Sequence, residues 1–500
     1  MNNSILIFWG PFLIKSEVEN PSPATDLSTL YAFGGASVCA FALVVSVVLN
    51  PNSAFAVPSF ARQTGQPCAT CHNGAFPQLT PFGRQFKLNG YTAGGTKCHD
   101  TPASEAPTTT AEILRQIPIA VMVVPTFTHT QKALPDVPTN RRGDPNGLNT
   151  NDNTMIQDVS VFYGGQIYCQ LGAFVQATYD RVDEVFFLDN TDIRYADHTK
   201  FSGVGVVYGM TANNNPTVQD PWNTTPAWRI PGGGSVGSAF APGPVTPLIE
   251  NLGGIVGGGG GYVFIDNTFY FEASAYKTLD RKTLSVLGEG PPSLGIDGVA
   301  PYWRAAIEKT WGDYTFMVGT YGMFASFRPD VTAVSPSDKI TDVAFDTQFQ
   351  YLNNEHFFTA RASYTYEWEK LDGSAFNGAA ANLKNHLLSL NISATYAYDS
   401  TYALTVGYFN TRGSTDLDPG TGTSYFGSPT GSPNGSGEII DIGYMPWSHG
   451  GPSAWPWINT RIGLSFTHFD KLNGVSSNYD GNGRNTKDDN TTFLYAWTAF

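Results

Sequence analysis

Polar and hydrophobic side chains alternate residue by residue over most of the chain, from about residue 117 to its end. One run carries apolar side chains at 388, 390, 392, 394, 396 and 398, with polar or small side chains between them. A second run places Phe358, Ala360, Ala362, Tyr364, Tyr366 and Trp368 on one face and Thr359, Arg361, Ser363, Thr365, Glu367 and Glu369 on the other. Because successive side chains of a β-strand point to opposite sides, this period predicts strands with one apolar and one polar face.

The length of these runs separates two all-β architectures. A soluble β-sandwich also alternates, but its strands average about 5–6 residues and its polar face meets water. Strands of an outer-membrane barrel run about 10 residues and turn their apolar face to lipid and their polar face to the lumen. The runs at 357–369 and 387–398 have the second length, which favours a transmembrane antiparallel β-barrel.

The same alternation predicts about sixteen strands. They are expected at residues 117–130, 154–165, 168–180, 184–197, 200–211, 252–265, 268–279, 301–311, 314–327, 340–352, 356–369, 386–398, 401–411, 437–446, 457–469 and 490–500. Tight turns are expected near residues 266, 312, 353 and 399, and the longest loop at 212–251. Outer-membrane barrels alternate short periplasmic turns with long external loops, so both ends of the barrel chain are predicted to be periplasmic.

The last predicted strand is aromatic and ends in Phe500. A terminal aromatic strand fits the signal read by outer-membrane assembly machinery. Phe493, Tyr495 and Trp497 have the opposite parity to Phe500, so a bulge is needed if all four are to share one face.

A run of five glycines occupies residues 257–261. It is not a phosphate-binding loop, because no Gly-Lys-Ser/Thr follows it. We expect the missing side chains to relieve crowding by the haem segment in the lumen, or to allow a bend in the strand.

Composition supports the β assignment and narrows the function. Charged residues make up only 14% of the chain, while Gly (53), Tyr (24) and Phe (33) are abundant, a profile of strand and turn formers. The net charge is −14 and the pI is about 4.9. No basic patch is available to bind nucleic acid, and cations are the expected binding partners.

The N-terminal region predicts export. Residues 36–49 form an apolar stretch of fourteen residues, shorter than the roughly 20 needed to span a membrane, and Ala54-Phe55-Ala56 is a small-x-small site. We predict a signal peptide at 1–56, cleaved after Ala56. The region before the apolar stretch carries Lys15 as its only basic residue, so the true start is expected downstream of Met1. An inner-membrane anchor is the alternative.

Near the start of the predicted mature chain lies Cys68-Ala69-Thr70-Cys71-His72. In c-type cytochromes the two thiols of this pattern add to the haem vinyl groups, and the adjacent imidazole ligates the iron. We therefore predict one covalent haem c, with His72 as the proximal iron ligand.

Zinc binding and dithiol redox chemistry are the alternatives for this motif. Zinc would need a second pair of ligands, and only Cys98-His99 lies nearby. Export favours haem, since haem is attached outside the cytoplasm.

The haem segment is expected at 57–100, because residues 101–116 open with a Pro/Thr-rich linker, and the barrel is expected at 117–500. About 40 residues cannot bury a haem alone. The segment is therefore predicted to lie in or at the lumen and to use the barrel wall as cover.

Two further ligand questions stay open at the level of sequence. Met122 and His99 are the two candidates for the distal iron ligand, with another ligand or none as the remaining alternative. Met122 shares its strand face with Thr126. An axial methionine would raise the reduction potential. Removal of the signal peptide leaves Cys98 and Cys169 outside the haem motif, and a disulfide between them is an open possibility in an oxidising compartment.

These features resemble the fused outer-membrane monohaem cytochrome c–porin family of iron-oxidising bacteria. The resemblance is carried by Phe60-Ala61-Arg62-Gln63-Thr64-Gly65, the Cys68/Cys71/His72 motif, Phe76-Pro77, Leu79-Thr80-Pro81-Phe82-Gly83-Arg84 and Phe86-Lys87-Leu88 with Gly90-Tyr91, and by the segments IPIAVMVVPTFTHT and DPWNTTPAW at residues 117–130 and 220–228. It implies one haem, a barrel of about sixteen strands in the outer membrane, and ferrous iron as the external electron donor.

Two functions follow from these expectations. In the first, extracellular ferrous iron or a similar reduced metal gives electrons through the haem to a periplasmic cytochrome. The carboxylates of Asp480, Asp488 and Asp489 would raise the local cation concentration, although for any one of them a solvated loop at the rim of the barrel is the favoured explanation. In the second, the protein is a diffusion porin whose haem segment is a plug, without iron oxidation.

Overall fold

The computed structural model describes residues 58–73, 77–95, 117–228, 237–290, 295–331, 334–451 and 457–500. The predicted signal peptide at 1–56 and the linker at 101–116 lie outside these ranges. No described helix is long and apolar enough to cross a membrane.

Sixteen long strands form one closed antiparallel sheet. They are β1 (Ile119–Thr130), β2 (Asn153–Tyr168), β3 (Leu171–Asp180), β4 (Val185–Phe201), β5 (Val204–Asn213), β6 (Val256–Ile265), β7 (Phe269–Thr278), β9 (Ala300–Trp311), β10 (Tyr314–Arg328), β11 (Asp338–Leu352), β12 (His356–Lys370), β13 (Lys384–Tyr398), β14 (Tyr402–Gly413), β15 (Gly435–Tyr444), β16 (Asn459–Lys471) and β17 (Thr491–Ala499). A two-residue strand, β8 (Gly295–Ile296), pairs with the end of β10. All sixteen predicted strands are confirmed, with ends shifted by at most four residues.

Pairing of β1 with β17 closes the barrel, so the sheet has no open edge. The hairpin turns at Asp266–Asn267 and Asp399–Ser400 have positive φ at both residues, as type I′ turns require. These short turns share one end of the barrel with the start of β1 and the end of β17. We assign this end to the periplasm, as predicted, and the opposite end with the long loops to the exterior.

Burial of the strands is inverted relative to a soluble protein. On β12 the polar side chains of Thr359, Arg361 and Glu367 are buried, whereas Tyr364 and Trp368 are exposed. The polar face therefore lines the lumen and the apolar face points outward. An apolar outer wall around a closed sheet places the chain in the outer membrane.

The N-terminal segment fills part of the lumen. Short helices α1 (Pro58–Thr64), α2 (Cys68–Cys71) and α3 (Pro81–Leu88) lie inside it, and residues 58–95 as described are called the plug. The described helices outside the plug are α4 (Arg281–Val286) and α5 (Asp372–Phe376), with 3-10 turns at Pro226–Trp228, Leu248–Glu250 and Thr486–Asp489.

The longest predicted external loop turns inward. Residues 214–228, called the inner loop, bury Val218, Asp220 and Trp222 at 1% exposure or less. A buried ion pair joins the inner loop to the wall, since Asp220 Oδ1 lies 3.0 Å from Arg304 Nη2 on β9. Trp222 Nε1 also donates to Glu308 Oε2 at 2.5 Å.

The aromatic residues of the last strand face the lumen. Phe493, Tyr495 and Trp497 are buried in one cluster with Met122 and Phe86, whereas Phe500 is 45% exposed on the other face. The opposite parity seen in the sequence is therefore real, and these three aromatics pack towards the plug instead of lipid.

The glycine run makes room for a strand neighbour. Residues 257–261 form half of β6, and a Cβ on Gly258 would lie 2.2 Å from the ring of Tyr276. Tyr276 itself is buried in a lumen cluster with Leu248 and Ile249 of the 237–255 segment. The crowding expected from the sequence exists at Gly258, but a barrel tyrosine causes it, not the plug.

Candidate functional site

The plug is built around a capped helix that packs on the Cys-x-x-Cys turn. Thr80 is the N-cap of α3 and accepts from the Gly83 amide, while Pro81 occupies the first helical position, a favoured arrangement. A Cβ on Gly83 would lie 2.3 Å from the Cys71 carbonyl oxygen. Glycine therefore lets α3 press directly on the turn that carries both cysteines.

Polar groups of the plug contact the barrel wall on several strands between β4 and β13. Arg84 donates to Gln350 on β11 at 2.6 Å and pairs with Glu308 on β9 at 2.9 Å. Further wall contacts join Gln78 to Thr395 at 2.8 Å, Tyr91 to Asp192 at 2.6 Å, the Leu88 carbonyl to Tyr262 at 2.5 Å, and Asn73 to Thr359. Most of these wall residues belong to the periplasmic halves of their strands, which places the plug in the periplasmic half of the lumen.

A cavity of about 430 Å³ lies between the plug and strands β1–β4. This volume is within the range of small-molecule and cofactor sites, about 300–1,000 Å³. Its apolar part is lined by Phe60, Leu79, Phe86, Met122, Phe162, Phe174, Trp228 and Trp497. Cys68, Cys71 and His72 line the same cavity, so the structure brings all three residues of the motif to one space.

His72 is held in a defined orientation. Its Nδ1 lies 3.0 Å from the Gln78 carbonyl oxygen, which can only accept, so Nδ1 donates and the ring lone pair is on Nε2. This arrangement is typical of histidines that ligate metals. Burial lowers the pKa of His72 to about 4, which keeps the imidazole neutral at physiological pH.

Cys68 and Cys71 carry free thiols. Burial raises the pKa of Cys71 to about 12 and the pKa of Cys68 well above its ordinary value. Thiolates are the species that attack disulfides, so burial disfavours the ionised form on which a redox dithiol depends.

The geometry also bears on the zinc alternative. Zinc holds its sulfur and nitrogen ligands at about 2.0–2.3 Å, so all ligand atoms must converge on one point. Among the described residues, the ligand atoms of Cys68, Cys71 and His72 do not all come within 4.8 Å of one another. Haem needs no such convergence, since the thiols bond to the ring edge and the imidazole to its centre.

Met122, one of the two candidate distal ligands, reaches the cavity from β1. The Met122 side chain is 6% exposed and shares the luminal face with Thr126 and Thr128, as its parity predicted. His99 lies outside the described residues, as does Cys98. Cys169 is disulfide-bonded.

Lys87 fastens the plug to the inner loop. Its ammonium donates to the Val218 and Asp220 carbonyl oxygens at 2.7 Å each and to Asn223 Oδ1 at 2.8 Å. The group also lies 4.4 Å from the ring centre of Trp228. Burial lowers the pKa of Lys87 to about 7, an effect that Arg194 increases and that Asp192 and Asp220 oppose.

The acidic residues predicted in the last long loop hold that loop together. Asp489 is 3% exposed and pairs with Arg484 at 2.7 Å. Asp480 accepts from loop amides, and Asp488 accepts from the Asn485 amide and faces Lys132 at 3.6 Å. These contacts favour the structural explanation over cation attraction.

The polar end of the cavity was not predicted from the sequence. Gln157, Asp158, Asp189 and Asn190 line it, on the extracellular side of the apolar part. Pro125 in β1 is the sequence signal that could have pointed there, because proline interrupts a strand ladder and marks bulges.

Comparisons with known proteins add a general likeness. No family model matches the chain, and no curated protein matches it. Among solved structures, the trimer form of OmpT of Vibrio cholerae is 10% identical with a TM-score of 0.39, covering 76% of this chain and 98% of its own. The outer membrane channel DcaP of Acinetobacter baumannii is 12% identical with a TM-score of 0.39, at 76% and 96% coverage. An anion-selective porin from Comamonas acidovorans is 10% identical with a TM-score of 0.36, at 76% and 98% coverage.

Proposed function

We propose that this outer-membrane barrel is an electron-transfer protein that carries one c-type haem in its plug and passes electrons from extracellular ferrous iron to a periplasmic cytochrome. The supporting observation is that Cys68, Cys71 and His72 line one cavity inside the barrel, together with Met122. The fused cytochrome–porin resemblance of the plug segment suggests the same function.

The residues around the cavity suit a haem. Cys68 and Cys71 would hold it covalently, and His72 would ligate its iron through Nε2. Phe162, Phe174 and other apolar side chains supply cover that the plug lacks by itself. When bound, the haem would supply a one-electron carrier in the interior of the barrel.

The overall reaction would move electrons without moving iron. Each ferrous ion would lose one electron and become ferric outside the cell, and one oxidised periplasmic cytochrome would gain that electron. The plug residues favour such transfer, because they bond to the wall around the lumen and obstruct the path of solutes. A ferric product would then stay outside the cell.

A plugged diffusion porin is the competing function, and the barrel architecture itself supports it. A porin requires a continuous aqueous path, however, and the described plug and inner loop bury large side chains such as Trp222 and Arg84 across the lumen. We therefore rank electron transfer above solute diffusion.

Two measurements on the purified protein test the proposal. A pyridine haemochrome spectrum and a haem stain on the denatured protein should show one covalent haem, lost in Cys71→Ala. Liposomes with the protein in the membrane and oxidised cytochrome c inside should show reduction of the trapped cytochrome when ferrous iron is added outside. The proposal is wrong if no covalent haem is found, or if reduction occurs only together with leakage of a small dye.

A further inference from the structure

Two β-bulges lie side by side in the wall of the cavity. In the β1–β2 pair the register shifts between Val124, opposite Asp158, and Pro125, opposite Ile156, which leaves Gln157 as the extra residue of β2. In the β3–β4 pair the register shifts between Val175, opposite Thr191, and Ala177, opposite Leu188.

Each bulge turns two consecutive side chains to the lumen. In a regular strand neighbouring side chains point to opposite faces, yet Gln157 and Asp158 both line the cavity, and so do Asp189 and Asn190. Bulges re-aim side chains in this way and are common next to functional sites. Here they double the number of polar groups at one height of the wall.

These groups offer oxygen ligands without a cation to balance them. Among the described residues, neither Asp158 nor Asp189 forms an ion pair; Asp158 accepts from Gln157 Nε2 at 3.4 Å, and Asp189 accepts from Asn190 at 3.0 Å and Thr178 at 3.3 Å. Gln157 is 6% exposed, and its Oε1 is buried without a hydrogen-bond partner in the described part of the chain. A buried polar atom without a partner is costly unless something binds it.

Among the described residues that line the cavity, one carries a lysine or arginine side chain, and its charged group is bonded outside the polar end. Lys87 lines the cavity, and its ammonium is bonded to two carbonyl oxygens and Asn223 of the inner loop. The polar end therefore presents two carboxylates and Gln157 Oε1 to an entering ligand, while Asn190 Oδ1 also accepts from Asn215 at 2.9 Å. All-oxygen donor sets prefer hard divalent cations.

The polar end lies on the extracellular side of the residues proposed to hold haem. Ser160 pairs with Met122 across β1 and β2, and Asp158 lies two residues further towards the extracellular end of β2, about 7 Å along the strand. A cation held there would adjoin the apolar part of the cavity from the side of the external loops.

We propose that Gln157, Asp158, Asp189 and Asn190 form a docking site for a hydrated divalent metal ion, and that ferrous iron occupies it before it gives up its electron. This inference rests on the proposed function for the identity of the ion, but not for the binding of a divalent cation.

Mn²⁺ binding tests the site without any redox reaction. The full-length holoprotein is titrated with Mn²⁺ in detergent, and free Mn²⁺ is followed by electron paramagnetic resonance. Glu438, His468 and Asp470 bring metal-ligating atoms within 4.8 Å of one another on the outer wall, so every variant is made in a His468→Ala background. Heat-modifiable mobility in gels checks that each barrel is folded.

We expect one Mn²⁺ per barrel, with the dissociation constant raised about tenfold or more by Asp158→Asn and by Asp189→Asn. The matched control is Asp197→Asn, which removes the same charge from β4 outside the cavity lining and should change the constant less than twofold. Equal Mn²⁺ affinity in all four proteins overturns the site.

Electron transfer from ferrous iron separates this inference from the proposed function. If Mn²⁺ binding depends on Asp158 and Asp189 but the parent protein transfers no electrons, the site stands and the proposed function fails. If a variant that combines Asp158→Asn with Asp189→Asn transfers electrons at the parent rate, ferrous docking at this site is wrong and the proposed function stands.

Discussion

Single residues decide how the plug presents the Cys-x-x-Cys-His motif. Gly83 allows α3 to lie against the Cys71 carbonyl, and the Gln78 carbonyl fixes the ring of His72. Gly83 and the Gln78 carbonyl are not themselves reactive groups. The site therefore depends on small packing positions as much as on the thiols and the imidazole.

Gly83→Ala should disturb the motif without unfolding the barrel. The added methyl would meet the Cys71 carbonyl oxygen at 2.3 Å, and overpacking of this kind costs about 1–3 kcal/mol. We expect faster proteolysis of the plug and less covalent haem per barrel. Gly205→Ala, where a Cβ meets nothing within 4 Å, is the control, and equal haem content in both variants would contradict this role.

Met122→Leu tests the proposed distal ligand. Leucine keeps the volume of the side chain in its aromatic cluster but removes the sulfur, so the reduction potential should fall and the absorption spectrum of the oxidised protein should change. Met317→Leu, at a buried lumen position in another cluster, should change neither. A potential that Met122→Leu leaves unaltered excludes methionine ligation from this position.

At the scale of elements, the strands could be predicted from the sequence and the inner loop could not. Period-two alternation is a local signal, so all sixteen strands were found with small errors at their ends. The inward turn of residues 214–228 depends on Asp220 meeting Arg304, far away in the sequence. The order of residues along one chain carries no visible sign of that pairing.

The same limit applies to the site. The Cys68/Cys71/His72 motif was visible because its residues are contiguous, and the luminal parity of Met122 followed from strand alternation. The bulges at Gln157 and Asp189 reverse that alternation locally, so a strict period of two places one residue of each pair on the wrong face.

The contact between α3 and the inner loop should respond to pH. Burial lowers the pKa of Lys87 to about 7 from an ordinary value of 10.5. The docked state thus binds fewer protons than the undocked state between these values, and docking should strengthen as pH rises from about 7 to 10.5. The protection of α3 amides against hydrogen exchange, measured relative to the intrinsic rate at each pH, should therefore increase over this range.

Lys87→Met should abolish this pH dependence, because the titrating group is gone. Lys200→Met, at an exposed position near the end of β4, should retain it. If both variants keep the slope of the parent protein, another group controls the docking of α3.

At the scale of the whole molecule, the barrel is a scaffold whose interior is used for packing. Buried ion pairs such as Arg304 with Asp346 at 2.8 Å and Arg461 with Asp441 at 2.5 Å line the lumen. Water-filled porins use the same inward positions to surround an aqueous channel. In this chain the inward positions serve the plug and the inner loop.

A filled lumen predicts low conductance in planar lipid bilayers. Deletion of residues 58–95 should increase single-molecule conductance by about tenfold or more, because it removes the plug from the water path. Deletion of residues 101–110 alone retains the plug and should leave conductance near the parent level. High conductance in the parent protein would mean that solutes pass despite the plug.

The burial of the plug also sets an order of events in biogenesis. Cys68 is 7% exposed, and its Sγ accepts from Asn459 at the start of β16 at 3.8 Å. It lies inside a closed sheet without an edge strand. Enzymes that ligate haem to thiols need an accessible, unfolded segment. If this chain carries haem, its attachment must therefore precede closure of the barrel. Membrane insertion would then fix the plug with haem or without it, depending on what had happened in the periplasm.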